Sequence, residues 1–197
     1  MSVVGAILTG GMSTRMGRDK MLMPFRGDVS LVQMVERAVR PCVSSLVLVG
    51  RSLPGVDAPV IVDRRPHEGP LAALESLLSS AVAAAYLVVP CDMPLLTPEL
   101  LRLLCDENDA RSAHDGVRVF CIEGEERARP LPMYIRSELR VAASAALDRG
   151  ERALRVLLGR DDCRRVHLAA DQADSLAGAN TPEEFDRLAR VAATSRR

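Results

Sequence analysis

Aromatic side chains make up only 3% of the sequence, so the core must be assembled from the Leu, Val, Ala, Ile and Met that dominate a 48% hydrophobic fraction. A charge surplus is missing as well. Acidic and basic residues balance at 26 each, and the lack of a surplus of positive field argues against a general nucleic-acid or membrane-surface binder while leaving room for a local basic site. No apolar run approaches the ~20 residues of a membrane helix. The N-terminus lacks a basic region and reaches Gly10-Gly11 after only nine residues, which is no secretory signal. Five cysteines (Cys42, Cys91, Cys105, Cys121, Cys163) form no C-x-x-C pair, and His67, His114 and His167 make no ligand pattern. Scattered, odd-numbered thiols suit a reduced protein better than a disulfide framework or a zinc site. The expected setting is the cytoplasm, with no membrane and no nucleic acid among the partners. Lysine is the scarcest charged residue. Of 26 cationic side chains, 25 are arginine and one, Lys20, is lysine. A compact ammonium with rotatable donors does what a planar guanidinium fork cannot in a tight phosphate pocket.

At 197 residues the chain fits one domain. Short apolar runs alternate with helical patterns, the signature of a parallel α/β sheet between helix layers. Strands are expected at Val3–Leu8, Ser45–Val49, Pro59–Val62, Tyr86–Pro90, Val117–Ile122, Leu131–Ile135 and Cys163–Leu168, with a polar loop at Glu123–Arg129. Helical spacing of Leu31, Met34, Val35, Ala38 and Val39 predicts a helix over Ser30–Arg40 capped by Ser30. Leu71, Leu74, Leu77, Leu78, Ala81 and Val82 share one face of a helix that opens near Pro70. Further helices are expected after Thr97-Pro98-Glu99, at about Ser137–Arg149, at Ala153–Leu158 and after Thr181-Pro182-Glu183-Glu184, where Thr181 and Glu184 have capping-box spacing. The fold class is therefore α/β, Rossmann-like and three-layered, with a mainly parallel sheet.

Two segments carry chemistry. The first strand runs into Gly10-Gly11-Met12-Ser13-Thr14-Arg15-Met16-Gly17-Arg18-Asp19-Lys20. Glycines let backbone amides approach a ligand and form an anion nest. Ser13 and Thr14 add hydroxyl donors, and Arg15 and Lys20 add the charge a triphosphate needs. No Gly-Lys-Ser/Thr closes the loop, so it is not a Walker A loop, nor is it G-x-G-x-x-G. Helix packing beyond Gly17 is expected to hold it. The second segment is Asp92, just past an apolar strand, at the edge where open α/β sheets bind ligands. One carboxylate there suits Mg²⁺, which prefers one or two carboxylates plus phosphate oxygens and water. A turn-capping role before Pro94 fits Asp92 equally well.

Leu8-Thr9-Gly10-Gly11-x-Ser13-x-Arg15-Met16-Gly17-x-Asp19-Lys20 resembles the loop of the molybdenum cofactor guanylyltransferase family. His67-Glu68-Gly69-Pro70-Leu71-Ala72, Pro90-Cys91-Asp92-Met93-Pro94, Arg129-Pro130-Leu131 with Gly150-Glu151-Arg152, and Asn180-Thr181-Pro182-Glu183 resemble its later motifs in the same order. The first motif is shared with a broader group of nucleotidyltransferases; the full set is more specific. The resemblance implies a nucleotidyltransferase fold over residues 1–197, with a nucleotide-binding half at 1–100 and an acceptor-side half at 101–190. It implies purine-nucleotide contacts around Leu8, Thr9, Gly10 and Gly11, phosphate contacts at Lys20, a nucleotide-contacting acid at Asp63 and a Mg²⁺ ligand at Asp92. Asn180 either faces the same centre or merely precedes the helix cap. Thr9 stands where the family usually has Ala, and Val49-Gly50-Arg51 stands where some members place a nucleotide-contacting Asn.

The implied reaction attaches GMP from GTP to the terminal phosphate of molybdopterin and releases pyrophosphate. GTP and molybdopterin are then the substrates, and molybdoenzymes or cofactor-insertion proteins the wider partners. A phosphate monoester has a second pKa near ~6, so the acceptor is already an anion and no His or Cys base is required. Arg15, Lys20 and Asp92 with Mg²⁺ are the expected catalytic set. Three alternatives stay open: a cytidylyltransferase for the same cofactor, a sugar-phosphate nucleotidyltransferase, and a non-catalytic nucleotide-binding subunit. Arg64-Arg65, Arg127 and Arg129 are solvated charges or partners for an anionic pterin phosphate, while His67 reads as a loop residue.

Overall fold

The structure, a computed structural model, describes residues 2–10, 19–106 and 115–194. In chain order its elements are β1 (Val3–Leu8), a small hairpin of β2 (Pro24–Arg26) and β3 (Val29–Ser30), α1 (Leu31–Val39), β4 (Ser45–Val49), β5 (Val60–Ile61), α2 (Pro70–Ser79) and β6 (Ala85–Pro90). There follow α3 (Pro98–Cys105), β7 (Val117–Ile122), β8 (Arg129–Arg136), α4 (Arg140–Asp148), β9 (Cys163–Leu168) and α5 (Pro182–Thr194). The seven-stranded sheet has the order β5-β4-β1-β6-β8-β7-β9. All neighbours are parallel except β8, which runs antiparallel to both β6 and β7.

Alternation along β1 shows how the layers form. Val3 and Ile7 point into the core that α1 and α3 cover, with Val32, Val35, Leu101 and Leu104. Val4, Ala6 and Leu8 point into the opposite core under α2 and α4, with Leu71, Leu74, Ala143 and Leu147. Both faces are buried, which is why the parallel strands read as continuous apolar runs. Complete burial of each such Leu or Ile contributes about 2 kcal/mol.

The caps are where their residues demand. Ser30 and Gln33 form a capping box on α1, and the Thr97 side chain accepts from the Leu100 N–H on α3. On α5, Thr181 Oγ1 accepts from the Glu184 N–H at 3.2 Å, and the Glu184 carboxylate accepts from the Thr181 N–H at 3.0 Å.

Four sequence expectations change. The α2 stripe does not reach Ala81 and Val82, because the helix ends at Ser79. Ser80 Oγ donates to the Leu77 carbonyl at 2.6 Å, a side-chain bond that competes with helix continuation. Ala81 then turns with φ +53 and leaves Val82 exposed. Ala153–Leu158 is not an α-helix; only a 3₁₀ stretch, Leu154–Leu157, forms there. Arg129 belongs to β8 rather than to the preceding loop. The described chain after the Gly-rich loop does not enter a helix directly. It makes one 3₁₀ turn at Lys20–Leu22, capped by Asp19, and then the β2–β3 hairpin. Pro24 forces Met23 into extended backbone, with φ −66 and ψ 135, so the turn cannot propagate.

That hairpin has a structural purpose. Phe25 on β2 meets Phe185 on α5 edge to face, with ring centroids 5.3 Å apart. Together with Leu31, Ala179 and Leu188 they form a third, small core. It ties the C-terminal segment to the start of the chain.

Candidate active site

Register places the two key segments side by side. Leu8 of β1 pairs with Pro90 of β6, so Gly10 and Asp92 both lie two residues beyond one register pair. This is the C-terminal edge of the sheet, where β1 is flanked by β4 on one side and β6 on the other, the switch point at which open α/β sheets bind ligands.

A cleft of about 410 Å³ opens there, lined by Leu8, Gly10, Asp63, His67, Gly69, Pro70, Ala73, Pro90, Cys91, Asp92 and Leu131. Four sequence-predicted residues, Leu8, Gly10, Asp63 and Asp92, therefore share one cavity. Asp63 follows β5; its Oδ1 accepts from the Arg65 N–H at 3.0 Å and lies 3.4 Å from Ser76 Oγ. His67 proves to be a cleft residue, held at φ +69. It is the loop residue expected from the sequence, in the turn before Gly69-Pro70 that opens α2. The α2 N-terminus has spent its first amides internally. The Leu71 N–H donates to the Arg152 carbonyl at 3.2 Å, and the Ala72 N–H to the Gly69 carbonyl at 3.1 Å. Cys91 is no nucleophile: burial, reinforced by Asp92, pushes its thiol up to about 12, so it is protonated at neutral pH.

Lys20 and Asp92 meet directly. Lys20 Nζ donates to Asp92 Oδ2 at 2.8 Å, to the Ala179 carbonyl at 3.0 Å and to Asn180 Oδ1 at 3.2 Å. The Asp92 backbone carbonyl in turn accepts from the Ala179 N–H at 2.8 Å. Gly178 lets this segment come close, since a Cβ there would sit 2.9 Å from Asn180 Nδ2 and 3.6 Å from the Asp92 carboxyl carbon. Asn180 thus stands beside Asp92 on Lys20 and, at the same time, just before the cap of α5. The Ala179 carbonyl, which no side-chain pattern could announce, is its neighbour.

Thr9 is completely buried and turned away from solvent. Its hydroxyl lies 2.7 Å from the Arg51 carbonyl and 3.1 Å from the Val49 carbonyl, either of which takes its proton, and it accepts from the Arg51 N–H at 3.0 Å. The Thr therefore fastens the end of β1 to the turn after β4. Arg51 also pairs with Asp19, bracing the far side of the loop. Gly11, Ser13, Thr14 and Arg15, like His114, lie outside the described residues.

Gly50 is the tightest point of this arrangement. Its φ is +118, and an added Cβ would meet the backbone N of Gly10 at 2.7 Å and its Cα at 2.9 Å. Because the clash is with backbone, Gly50→Ala should displace Gly10, cost about 1–3 kcal/mol of stability and weaken nucleotide binding. Thermal melts and a nucleotide titration check this; unchanged values in both would show that the loop moves freely.

A mainly parallel sheet whose switch-point edge sets Gly10 and a lysine-paired carboxylate in one cleft is the arrangement of an α/β nucleotidyltransferase. The family model of the MobA-like NTP transferase domain matches residues 5–166, and the chain belongs to that family. It is 35% identical over 190 residues to a molybdenum cofactor guanylyltransferase of Xanthomonas euvesicatoria pv. vesicatoria, covering 93% of each chain. It is 32% identical over 196 residues to one of Shewanella sp. strain MR-4, covering 96% of each. Among solved structures it resembles molybdopterin-guanine dinucleotide biosynthesis protein A of Archaeoglobus fulgidus, with a TM-score of 0.75 and 21% identity over 97% of this chain and 99% of that one. That likeness speaks for the fold. No helix among the described residues is long and apolar enough to cross a membrane.

Proposed function

We propose that this chain transfers GMP from GTP to the terminal phosphate of molybdopterin and releases pyrophosphate, with Mg²⁺ bound at Asp92. The observation that carries this reading is the meeting of Lys20, Asp92 and Asn180 at one end of a cleft whose walls include Leu8, Gly10 and Asp63. Full-length relatives named for the guanylyl transfer support the substrates.

The donor set fits a hard divalent ion. One carboxylate with an amide oxygen and a carbonyl beside it suits Mg²⁺, which completes its shell with phosphate oxygens and water. Bound there, the ion would offset charge building up on the transferred phosphate and on pyrophosphate. Lys20 adds a second positive charge, and Asp63, in the cleft wall, accepts from a ribose hydroxyl or a guanine amino group. The protein's task is orientation and charge balance, since the acceptor phosphate is already an anion.

An acceptor site is supported next door. A depression of about 610 Å³ is lined by Arg127, Arg129, Arg155 and Arg165. Arg129 is tied to Glu125 by two bonds of 2.6 and 3.0 Å, whereas the side chains of Arg127, Arg155 and Arg165 make no hydrogen bond or ion pair with a described residue. Pro130 lines this depression and Leu131 the nucleotide cleft, so consecutive residues of β8 join the two.

The test is pyrophosphate release from GTP, CTP, ATP and UTP in the presence of molybdopterin. Guanine presents N1–H and N2–H₂ donors with an O6 acceptor, a pattern that cleft backbone can match, and a wrong base leaves those groups unpaired. GTP is expected to be preferred over CTP and ATP by on the order of 10² or more, and Asp63→Ala to lose more GTP affinity than metal affinity. Preference for CTP would move the chain to cytidylyl transfer, and no turnover of any nucleotide would leave it a binding subunit.

A further inference from the structure

An ammonium has three hydrogens to give, and Lys20 has three oxygen acceptors around it: Asp92 Oδ2, the Ala179 carbonyl and Asn180 Oδ1, at 2.8, 3.0 and 3.2 Å. The Lys20 and Asp92 side chains are only 12% and 19% exposed, so water screens the pair weakly. Lys20 is thus already a cation in an oxygen cage built from two distant parts of the chain. Asp19, the residue before Lys20, is itself paired with Arg51.

Two consequences follow. Carboxylate, carbonyl and amide oxygens are what a hard divalent ion uses, and a divalent ion and an ammonium repel strongly when they share them. Equally, a lysine whose three hydrogens are committed to protein oxygens has none to offer a phosphate. We propose that Lys20 is an internal counter-cation that holds the Asp92–Asn180 site closed to metal until a polyphosphate draws it away, so that metal and triphosphate bind with positive coupling. The proposal rests on the reading of the cleft as a triphosphate site, and it adds an order to that reading: polyphosphate releases the lysine, and the released oxygens receive the metal. Coupling of this kind is reciprocal, so each ligand raises the affinity of the other by the same factor.

Two binding measurements test it, neither using turnover. In the first, Mn²⁺ alone is titrated and the free ion followed by electron paramagnetic resonance. Lys20→Met should bind Mn²⁺ on the order of tenfold tighter than wild type, and the added Asp92→Asn substitution should abolish that gain; Lys20→Gln serves if Lys20→Met does not fold. In the second, inorganic tripolyphosphate is titrated calorimetrically in chelator. Asp92→Asn should bind it several-fold tighter than wild type (roughly fivefold), because Lys20 is no longer held by a carboxylate. Asp63→Asn removes the same charge from the same cleft without touching Lys20 and should gain less. Unchanged Mn²⁺ affinity in the lysine variants overturns the proposal, as do equal gains in Asp92→Asn and Asp63→Asn. Failure of the guanylyl reading looks different: CTP outcompetes GTP while both measurements come out as expected.

Discussion

Asp92→Asn is expected to fold normally and to lose on the order of 10²–10³ in kcat, the scale of removing one preorganised charge from a reaction that develops negative charge. The fold should survive because the contact that seats the C-terminal segment uses the Asp92 backbone carbonyl, 2.8 Å from the Ala179 nitrogen, and not the carboxylate. Asn keeps an oxygen for Lys20 but loses the charge, so a metal is bound poorly. The same variant should bind metal-free polyphosphate more tightly, and a variant that improves binding while ruining turnover is the behaviour of a residue that acts in the transition state. A thermal melt and steady-state pyrophosphate release in Mg²⁺ measure both halves. Wild-type turnover in a folded Asp92→Asn protein would remove the metal from Asp92.

What could be read in advance and what could not divide along the range of the interactions involved. The parallel strands were legible because burial on both faces leaves unbroken apolar runs such as Val3–Leu8 and Ala85–Pro90. Helix starts were legible because caps are local chemistry, as at Ser30, Thr97 and Thr181. The end of α2 was not, since it turns on one serine hydroxyl reaching back to Leu77 and on a left-handed Ala81. Alternation of apolar and polar residues cannot show either.

The site divides in the same way. Gly10 and Asp92 lie two residues past the ends of neighbouring strands, and a strand end before a glycine or a carboxylate is visible in sequence. The contact between Lys20 and Asn180 spans 160 positions. It exists because Phe25 and Phe185 close a small core between the β2–β3 hairpin and α5, and strands of three and two residues leave too short a pattern to detect. The Ala179 carbonyl is invisible to any reasoning from side chains. Thr9 is instructive in the opposite sense. It stands where the resembling family usually has Ala, and its hydroxyl is consumed by the turn at Val49–Arg51. Val49-Gly50-Arg51 stands where some members place an Asn, and there the backbone of Gly50 packs closely against Gly10.

Lys20→Arg should lose nearly as much activity as Lys20→Ala, again on the order of 10²–10³ in kcat/KM. The reason lies in shape and reach, because the formal charge is unchanged. The Lys20 nitrogen sits among three oxygens on different groups, 2.8, 3.0 and 3.2 Å away, which a rotatable tetrahedral ammonium can address together. A guanidinium directs its five donors in one plane and suits the two parallel oxygens of a single carboxylate or phosphate. Inserted here it would take Asp92 in a fork, lose the Ala179 and Asn180 contacts, and place its bulk where the cage closes. With Lys20 only 12% exposed, no open solvent is available to receive the extra atoms. A forked Arg–carboxylate pair is also harder to open than a single ammonium bond, so Asp92 would be released to metal less readily. Lys20→Arg is therefore expected to raise the metal concentration needed for half-maximal rate, whereas Lys20→Ala, which frees Asp92, should lower it. Metal titrations of the residual rate in both variants separate these outcomes. The composition makes the comparison a fair one, since 25 of the chain's 26 cationic positions carry Arg and this one does not. A Lys20→Arg enzyme with wild-type kinetics and metal dependence would show that position 20 needs only a positive charge, and that the lone lysine is an accident of composition.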